Sequence, residues 1–183
     1  MRYLLLAIFL IPGVAMADRI LGEVTSDLNG DGTAETFILR EFDEGYASLI
    51  LVTESGAPVE FRAVAWSGMG AGNQPSLALA PNGSVQIISE NAAIGRNRWT
   101  QTLTIAYRAG AYRVAGYTYS WYDTLDLEFA GTCDVNLLTG NGVLDQLGHK
   151  PKSISDPNLV AVPLGDWTMD SAVEACDPIA TDS

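Results

Sequence analysis

The sequence predicts a mainly β protein, a single antiparallel β domain that is sandwich-like or a single curled sheet, with a disulfide-pinned and mostly irregular C-terminal tail. Short apolar stretches recur about every ten residues, and several alternate apolar with polar side chains, which is the period of a strand. Gly, Pro, Asn and Asp separate these stretches and are typical of turns. Only 169–176 has the N-cap and capping-box pattern of a helix, so helix should be a minor component.

The predicted strands follow one another with short turns. In 59–66, Val59 and Phe61 alternate with Glu60 and Arg62, which indicates a strand with one buried face. The longest pair, joined near Ala109-Gly110, indicates a long hairpin. In chain order the predicted strands are 20–24, 36–41, 46–54, 59–66, 76–80, 84–90, 98–108, 111–121, 133–140 and 142–148.

The N-terminus predicts a secretory signal over residues 1–17. A basic residue lies near its start, an apolar run follows over 3–14, and 15–17 reads small-x-small, with cleavage expected after it. The apolar run is too short to cross a bilayer as a helix, so we expect no membrane insertion after cleavage. The β domain should occupy 18–148, with a Pro-rich tail, 149–183, packed on it. The expected location is periplasmic or secreted, in a bacterium.

The cysteine count and the net charge limit the possible partners. Cys133 and Cys176 are the only cysteines, and an even pair in an exported protein is expected to form a disulfide, here a structural one that ties the tail to the body. The formal net charge is −12, which repels phosphate backbones and anionic lipid. Nucleic acid is therefore not an expected partner.

The stretch SDLNGDGTAETF, 26–37, places oxygen-bearing side chains at alternate positions. Calcium takes six to eight oxygen ligands, and such a loop can wrap around one ion. Three carboxylates this close in sequence repel one another without a cation. The expected cofactor is therefore Ca²⁺. Its predicted ligands, with Thr33 contributing its backbone carbonyl, are Asp27, Asn29, Asp31, Thr33 and Glu35.

The pattern resembles a known calcium loop, although not that of an EF-hand, because the twelfth position is Ile38 rather than Glu and both flanks read as strands. It is similar to the loop of FG-GAP and VCBS-type repeats of integrin α-chains and many bacterial exported proteins, D-x-[DN]-x-D-G-x-x-[DE] between two strands. The resemblance implies the same five ligands and covers only the loop and its flanks. A metal-free turn is the alternative, because Asn29-Gly30 and Asp31-Gly32 are ordinary turn dipeptides. The rest of the chain is similar to uncharacterised secreted bacterial proteins that carry one such loop.

No catalytic residues are predicted. His149 is the only histidine and lies in a loop-like stretch, and no nucleophile-elbow motif is present. The acidic residues Asp123, Asp126 and Glu128 leave one enzymatic alternative, a small secreted carbohydrate-active hydrolase. A structural subunit of an extracellular or periplasmic assembly is a second alternative.

A row of aromatic residues is the candidate binding surface. Tyr117, Tyr119 and Trp121 alternate along one strand and therefore share a face. A hairpin turn of two or four residues would expose the row beside Arg98, whereas a turn of three would bury it. Both arrangements are open from the sequence, because aromatic rows in strands are often part of the core; in the exposed one, Arg98 and the three aromatic residues form the binding surface. The sequence thus predicts an exported, calcium-stabilised, non-catalytic binding domain whose partner is an extracytoplasmic protein or glycan.

Overall fold

The computed structural model describes residues 19–42, 45–54, 56–171 and 173–179, which form two antiparallel β-sheets. This confirms the predicted mainly β, antiparallel fold class. The predicted signal, 1–17, lies outside the described residues. The strands are β1 (Ile20–Ser26), β2 (Glu35–Glu41), β3 (Tyr46–Val52), β4 (Val59–Trp66), β5 (Ser76–Leu79), β6 (Val85–Asn91), β7 (Asn97–Arg108), β8 (Ala111–Asp123), β9 (Ala130–Asn136), β10 (Asn141–Gln146), β11 (Lys152–Ser155) and β12 (Val162–Pro163).

The first sheet has the order β1-β2-β3-β4, so each strand pairs with the next along the chain. Alternate residues of β2, namely Glu35, Phe37 and Leu39, are buried, as expected for an antiparallel sheet with one face on the core. In β4 the alternation is interrupted at Ala63, which has a φ of 52°, so that Val64 and Ala65 are both buried.

The second sheet has the order β11-β10-β9-β8-β7-β6-β5, and β12 pairs with β8. The first sheet packs on the β5–β8 part of this sheet. Phe37 meets Tyr112 edge-on with the ring centroids 6.0 Å apart, and Trp66 lies against Trp99 at 5.2 Å. Strands β11 and β12 lie in the tail and were not among the predicted strands, because they are four and two residues long, and β11 follows Pro151 while β12 contains Pro163.

A bulge in the β7–β8 hairpin sets the position of the aromatic row. The turn has two residues, since Arg108 pairs with Ala111. Farther along, Thr104 pairs with Gly116 rather than with Ala115, so Ala115 is an extra residue in β8. One extra residue turns every later side chain of the strand to the other face.

The aromatic row therefore has the buried arrangement, and the exposed binding surface that the other register predicts is wrong. Beyond the bulge, Trp121 pairs with Trp99 and Tyr117 pairs with Leu103, on the face that packs into the core. Tyr117 and Trp121 are buried and Tyr119 is half-buried. Arg98 pairs with Tyr122 and lies on the opposite face from the row.

The tail supplies the second layer over the β8–β10 part of the large sheet. Trp167 packs on Tyr117 with the ring centroids 6.2 Å apart, and Cys176 is joined to Cys133 of β9 by the expected disulfide. The buried Gln146 amide of β10 donates to the Ile179 carbonyl at 2.9 Å and accepts from its N–H at 2.7 Å. The tail thus closes a core that the first sheet leaves open.

Helix is a minor component, as expected, and the described part of the stretch with the capping pattern, 169–176, contains a short 3₁₀ helix. The described residues contain only two short 3₁₀ helices, Leu164–Asp166 and Glu174–Cys176.

Disulfides persist outside the reducing cytoplasm, so the Cys133–Cys176 bond indicates a non-cytoplasmic location. No helix in the described part of the chain is long and apolar enough to cross a bilayer.

Candidate metal site

The loop between β1 and β2 is wound around the side chain of Asp27. Its Oδ1 accepts the N–H groups of Gly30 at 2.8 Å and Asp31 at 3.1 Å, and its Oδ2 accepts that of Gly32 at 3.0 Å. The two glycines have φ values of 76° and 92°, in the left-handed region that favours glycine. Asp31 in turn accepts the N–H of Thr33 at 2.8 Å. These hydrogen bonds and the two glycines hold a tight loop around the Asp27 carboxylate.

Three of the predicted ligands converge. Asp27, Asp31 and Glu35 each place a carboxylate oxygen such that these oxygens all lie within 4.8 Å of one another. Calcium binds oxygens at about 2.3–2.6 Å, so oxygens on opposite sides of one ion lie about 5 Å apart. The spacing fits a shared divalent ion. The amide of Asn29 lies beside this group, since its Nδ2 donates to Asp31 at 2.8 Å.

Glu35 is the unusual member of the group. It begins β2 with its side chain on the core face and is only 2% exposed. Its Oε2 accepts the N–H of Leu28 at 2.8 Å, but its Oε1 is buried without a hydrogen-bond partner. A buried polar oxygen without a partner is costly, and a charged one more so. A cation beside Oε1 would remove that cost.

A tyrosine from the second sheet adjoins the loop. The hydroxyl of Tyr112, in β8, interacts with the Glu35 carboxylate and the Asn29 side chain. Burial first, and then the neighbouring Glu35, raise the pKa of the Tyr112 phenol above its ordinary value. The residue beside Glu35 is therefore a neutral phenol, which does not compensate the negative charge. The sequence did not identify Tyr112, because only the packing of the two sheets brings it to the loop.

A fourth carboxylate lies at the rim of the site. Glu54, after β3, accepts a hydrogen bond from the Thr33 hydroxyl at 3.4 Å. Within the described ranges, no Lys or Arg forms an ion pair with any of these four carboxylates. Negative charge therefore accumulates here without a protein cation to balance it.

The second acidic cluster is arranged differently. Arg96 donates through Nε to both carboxylate oxygens of Asp123, at 2.9 and 2.6 Å, and this hydrogen bond holds the pKa of Asp123 below its ordinary value. Asp126 and Glu128 are exposed, and Asp126 accepts the Glu128 N–H at 3.3 Å. Asp123 thus joins the loop before β7 to the loop after β8.

The loops at the opposite end from the candidate metal site expose large apolar side chains. Met69, Leu125 and Leu127 are 89%, 77% and 71% exposed. Their loops are connected, because Asn73 accepts the N–H of Ala92 and the Thr124 N–H donates to the Arg96 carbonyl. The group is a candidate contact surface for another protein.

No protein-family model, curated protein or solved structure matches this chain. The resemblance to FG-GAP and VCBS-type calcium loops rests on the loop residues alone.

Proposed function

We propose that the protein is an exported, calcium-stabilised β domain that binds another molecule and is not an enzyme. The observation that supports calcium most strongly is the buried Glu35, whose Oε1 has no hydrogen-bond partner and whose carboxylate converges with those of Asp27 and Asp31. Calcium prefers carboxylate and carbonyl oxygens, and Asn29 and the Thr33 carbonyl would complete the ligand set together with water. The ion would hold the β1–β2 loop against β8 through Glu35.

Export is supported by two features. The disulfide indicates a non-cytoplasmic location, and residues 1–17 have the sequence of a cleaved secretory signal. Calcium-binding extracellular modules have dissociation constants of about 0.1–1 mM, so a site with only part of its ligands preformed suffices there. The proposed location is the periplasm or the medium of a bacterium.

A non-catalytic role is favoured by the state of the acidic cluster near Asp123. A glycosidase needs one carboxyl group that stays protonated to serve as the general acid, which requires a raised pKa. The pKa of Asp123 is lowered by Arg96, the opposite direction. The carbohydrate-active alternative therefore lacks its proton donor at this residue.

A structural subunit is the second candidate function. The observation that favours it is the exposure of Met69, Leu125 and Leu127 on connected loops, because monomeric soluble proteins rarely expose large contiguous apolar patches. Asp126 and Glu128, next to these leucines, would favour a partner surface that combines apolar with basic side chains.

Calcium is expected to raise the melting temperature of the mature domain relative to a chelator. At a hundredfold excess over the dissociation constant the added stability is about 2.7 kcal/mol, or about 5–10 °C for a domain of this size. Asp31→Ala should abolish the shift because it removes a charged ligand. Asp145→Ala, which changes an exposed carboxylate of β10, should keep it. Calorimetric melting of the three proteins, each with calcium and with chelator, provides the test. A full shift retained by Asp31→Ala would refute the assignment.

A further inference from the structure

A second candidate site is a cleft whose lining includes no residue of the β1–β2 loop. This cleft of about 410 Å³ opens between the β7–β8 hairpin, the turn after β9 and the tail. Its volume is in the range of small-molecule sites. Apolar side chains form much of its wall, including Leu137, Leu138, Leu159 and Val160. The apolar part of a ligand could therefore be buried in this cleft.

Two arginines give the cleft its charge. Arg108 and Arg113 both line it, and they are diagonal neighbours on one face of the hairpin, because Arg108 pairs with Ala111. No Asp or Glu is among the residues that line the cleft. Two like charges at this spacing repel one another unless an anion lies between them.

The hydrogen bonds of both guanidinium groups go to backbone carbonyls. Arg108 donates to the Tyr107 carbonyl at 2.7 Å, and Arg113 donates to the Arg108 carbonyl at 3.3 Å and to the Ala161 carbonyl at 3.0 Å. These bonds orient the guanidinium groups without neutralising them. Four other arginines of the described chain pair with carboxylates, namely Arg19, Arg40, Arg62 and Arg96. A fifth, Arg98, does not line the cleft and has a buried Nη1 without a hydrogen-bond partner.

The lack of carboxylate partners for Arg108 and Arg113 is informative because acidic residues are plentiful in this chain. The chain has 22 acidic and 10 basic residues, yet these two neighbouring arginines have no acidic partner in the part that the structure describes. The planar guanidinium group matches a carboxylate in two-point hydrogen bonding, and each group has N–H donors left over. The charge of the two arginines and the apolar wall of the cleft together favour a ligand with an anionic head group and an apolar body.

We propose that this cleft binds an amphipathic monocarboxylate, a linear alkyl carboxylate of medium chain length. The carboxylate group contacts Arg108 and Arg113, and the alkyl chain packs against Leu137, Leu159 and Val160. An inorganic anion would leave these apolar walls uncovered, so it fits the site less well. The inference gives a ligand class to the proposed binding role but does not depend on calcium, because no residue of the β1–β2 loop lines the cleft.

The test is isothermal titration of the mature, oxidised protein with octanoate, with 1-octanol and acetate as matched probes. We expect one octanoate per chain, and binding of 1-octanol and of acetate at least tenfold weaker. Arg108→Gln and Arg113→Gln should each weaken octanoate binding at least tenfold. Arg62→Gln is the control, since Arg62 is exposed on β4 and pairs with Glu60, and it should change the affinity less than twofold.

Three results would overturn the proposal: no saturable octanoate binding, equal binding of octanoate and 1-octanol, or unchanged affinity in Arg108→Gln. Arg108 is exposed and bonds only to the adjacent carbonyl, so this variant keeps the fold even if Arg113→Gln does not. The titrations are repeated with calcium and with chelator. A wild-type protein that responds to calcium but does not bind octanoate would disprove the cleft proposal alone. A wild-type protein that binds octanoate but does not respond to calcium would disprove the calcium site alone.

Discussion

The double variant Cys133→Ala/Cys176→Ala is expected to lose about 4 kcal/mol of unfolding free energy relative to the oxidised protein, the chain-entropy value for a bond that spans 43 residues. The tail contributes buried side chains, among them Leu164, Trp167 and Val173, but little regular hydrogen bonding to the sheet. Its attachment therefore depends strongly on the bond to β9. Alanine avoids placing a hydroxyl group in the core, where both cysteines are buried.

Urea unfolding followed by far-UV circular dichroism measures this loss, and reduced wild-type protein is the control that should lose a similar amount. The tail should also detach first. In the reduced protein, backbone amides of 164–171 and 173–179 should exchange with solvent well before those of β7 and β8, since these residues lie outside the sheet ladder. A loss below about 1 kcal/mol would show that tail packing alone holds this layer.

Trp121→Ala is expected to lower the unfolding free energy by about 3–5 kcal/mol, as for large-to-small changes at other buried aromatic residues. Trp121 is 6% exposed and stacks on Tyr119 with the ring centroids 5.8 Å apart. It also lies over Gly131 of β9, where a Cβ atom would come within 2.5 Å of the indole ring. Removing the indole leaves a cavity between the two strands.

The matched control is Tyr122→Ala, one residue farther along β8. Tyr122 is 47% exposed on the other face, so its removal should cost less than about 1 kcal/mol. Equal losses for the two variants, measured by chemical denaturation, would contradict the bulge at Ala115 and restore the exposed aromatic row.

The strands that alternate clearly were predictable from sequence. Strand β4 has the predicted bounds, Val59–Trp66, and β3 and β6 differ from prediction by one or two residues at an end, because period-2 burial is a local property. The bulge at Ala115 was not predictable, since one extra residue leaves the composition of β8 unchanged while reversing its faces. Strand β11 was missed because pairing with β10, rather than local sequence, makes it a strand.

The candidate metal site, like the fold, was predictable from the sequence only in part. Asp27, Asp31 and Glu35 lie within nine residues of one another, so their convergence follows from loop geometry that the sequence displays. The contributions of Glu54 and Tyr112 depend on contacts between distant segments. The burial of Glu35 Oε1 depends on the packing of the two sheets, and it is the observation that distinguishes this loop from an ordinary acidic turn.

The most direct test of calcium binding is a calorimetric titration of the mature protein with Ca²⁺ beside the variant Glu35→Gln. Glutamine keeps an oxygen to accept the Leu28 N–H but removes the charge. We expect one ion per chain in the wild-type protein and at least tenfold weaker binding in Glu35→Gln. Glu23→Gln, at an exposed position of β1, should bind as the wild type does. No saturable binding by the wild-type protein at about 1 mM calcium, the weak end of extracellular modules, or equal affinity in Glu35→Gln, would contradict the calcium site.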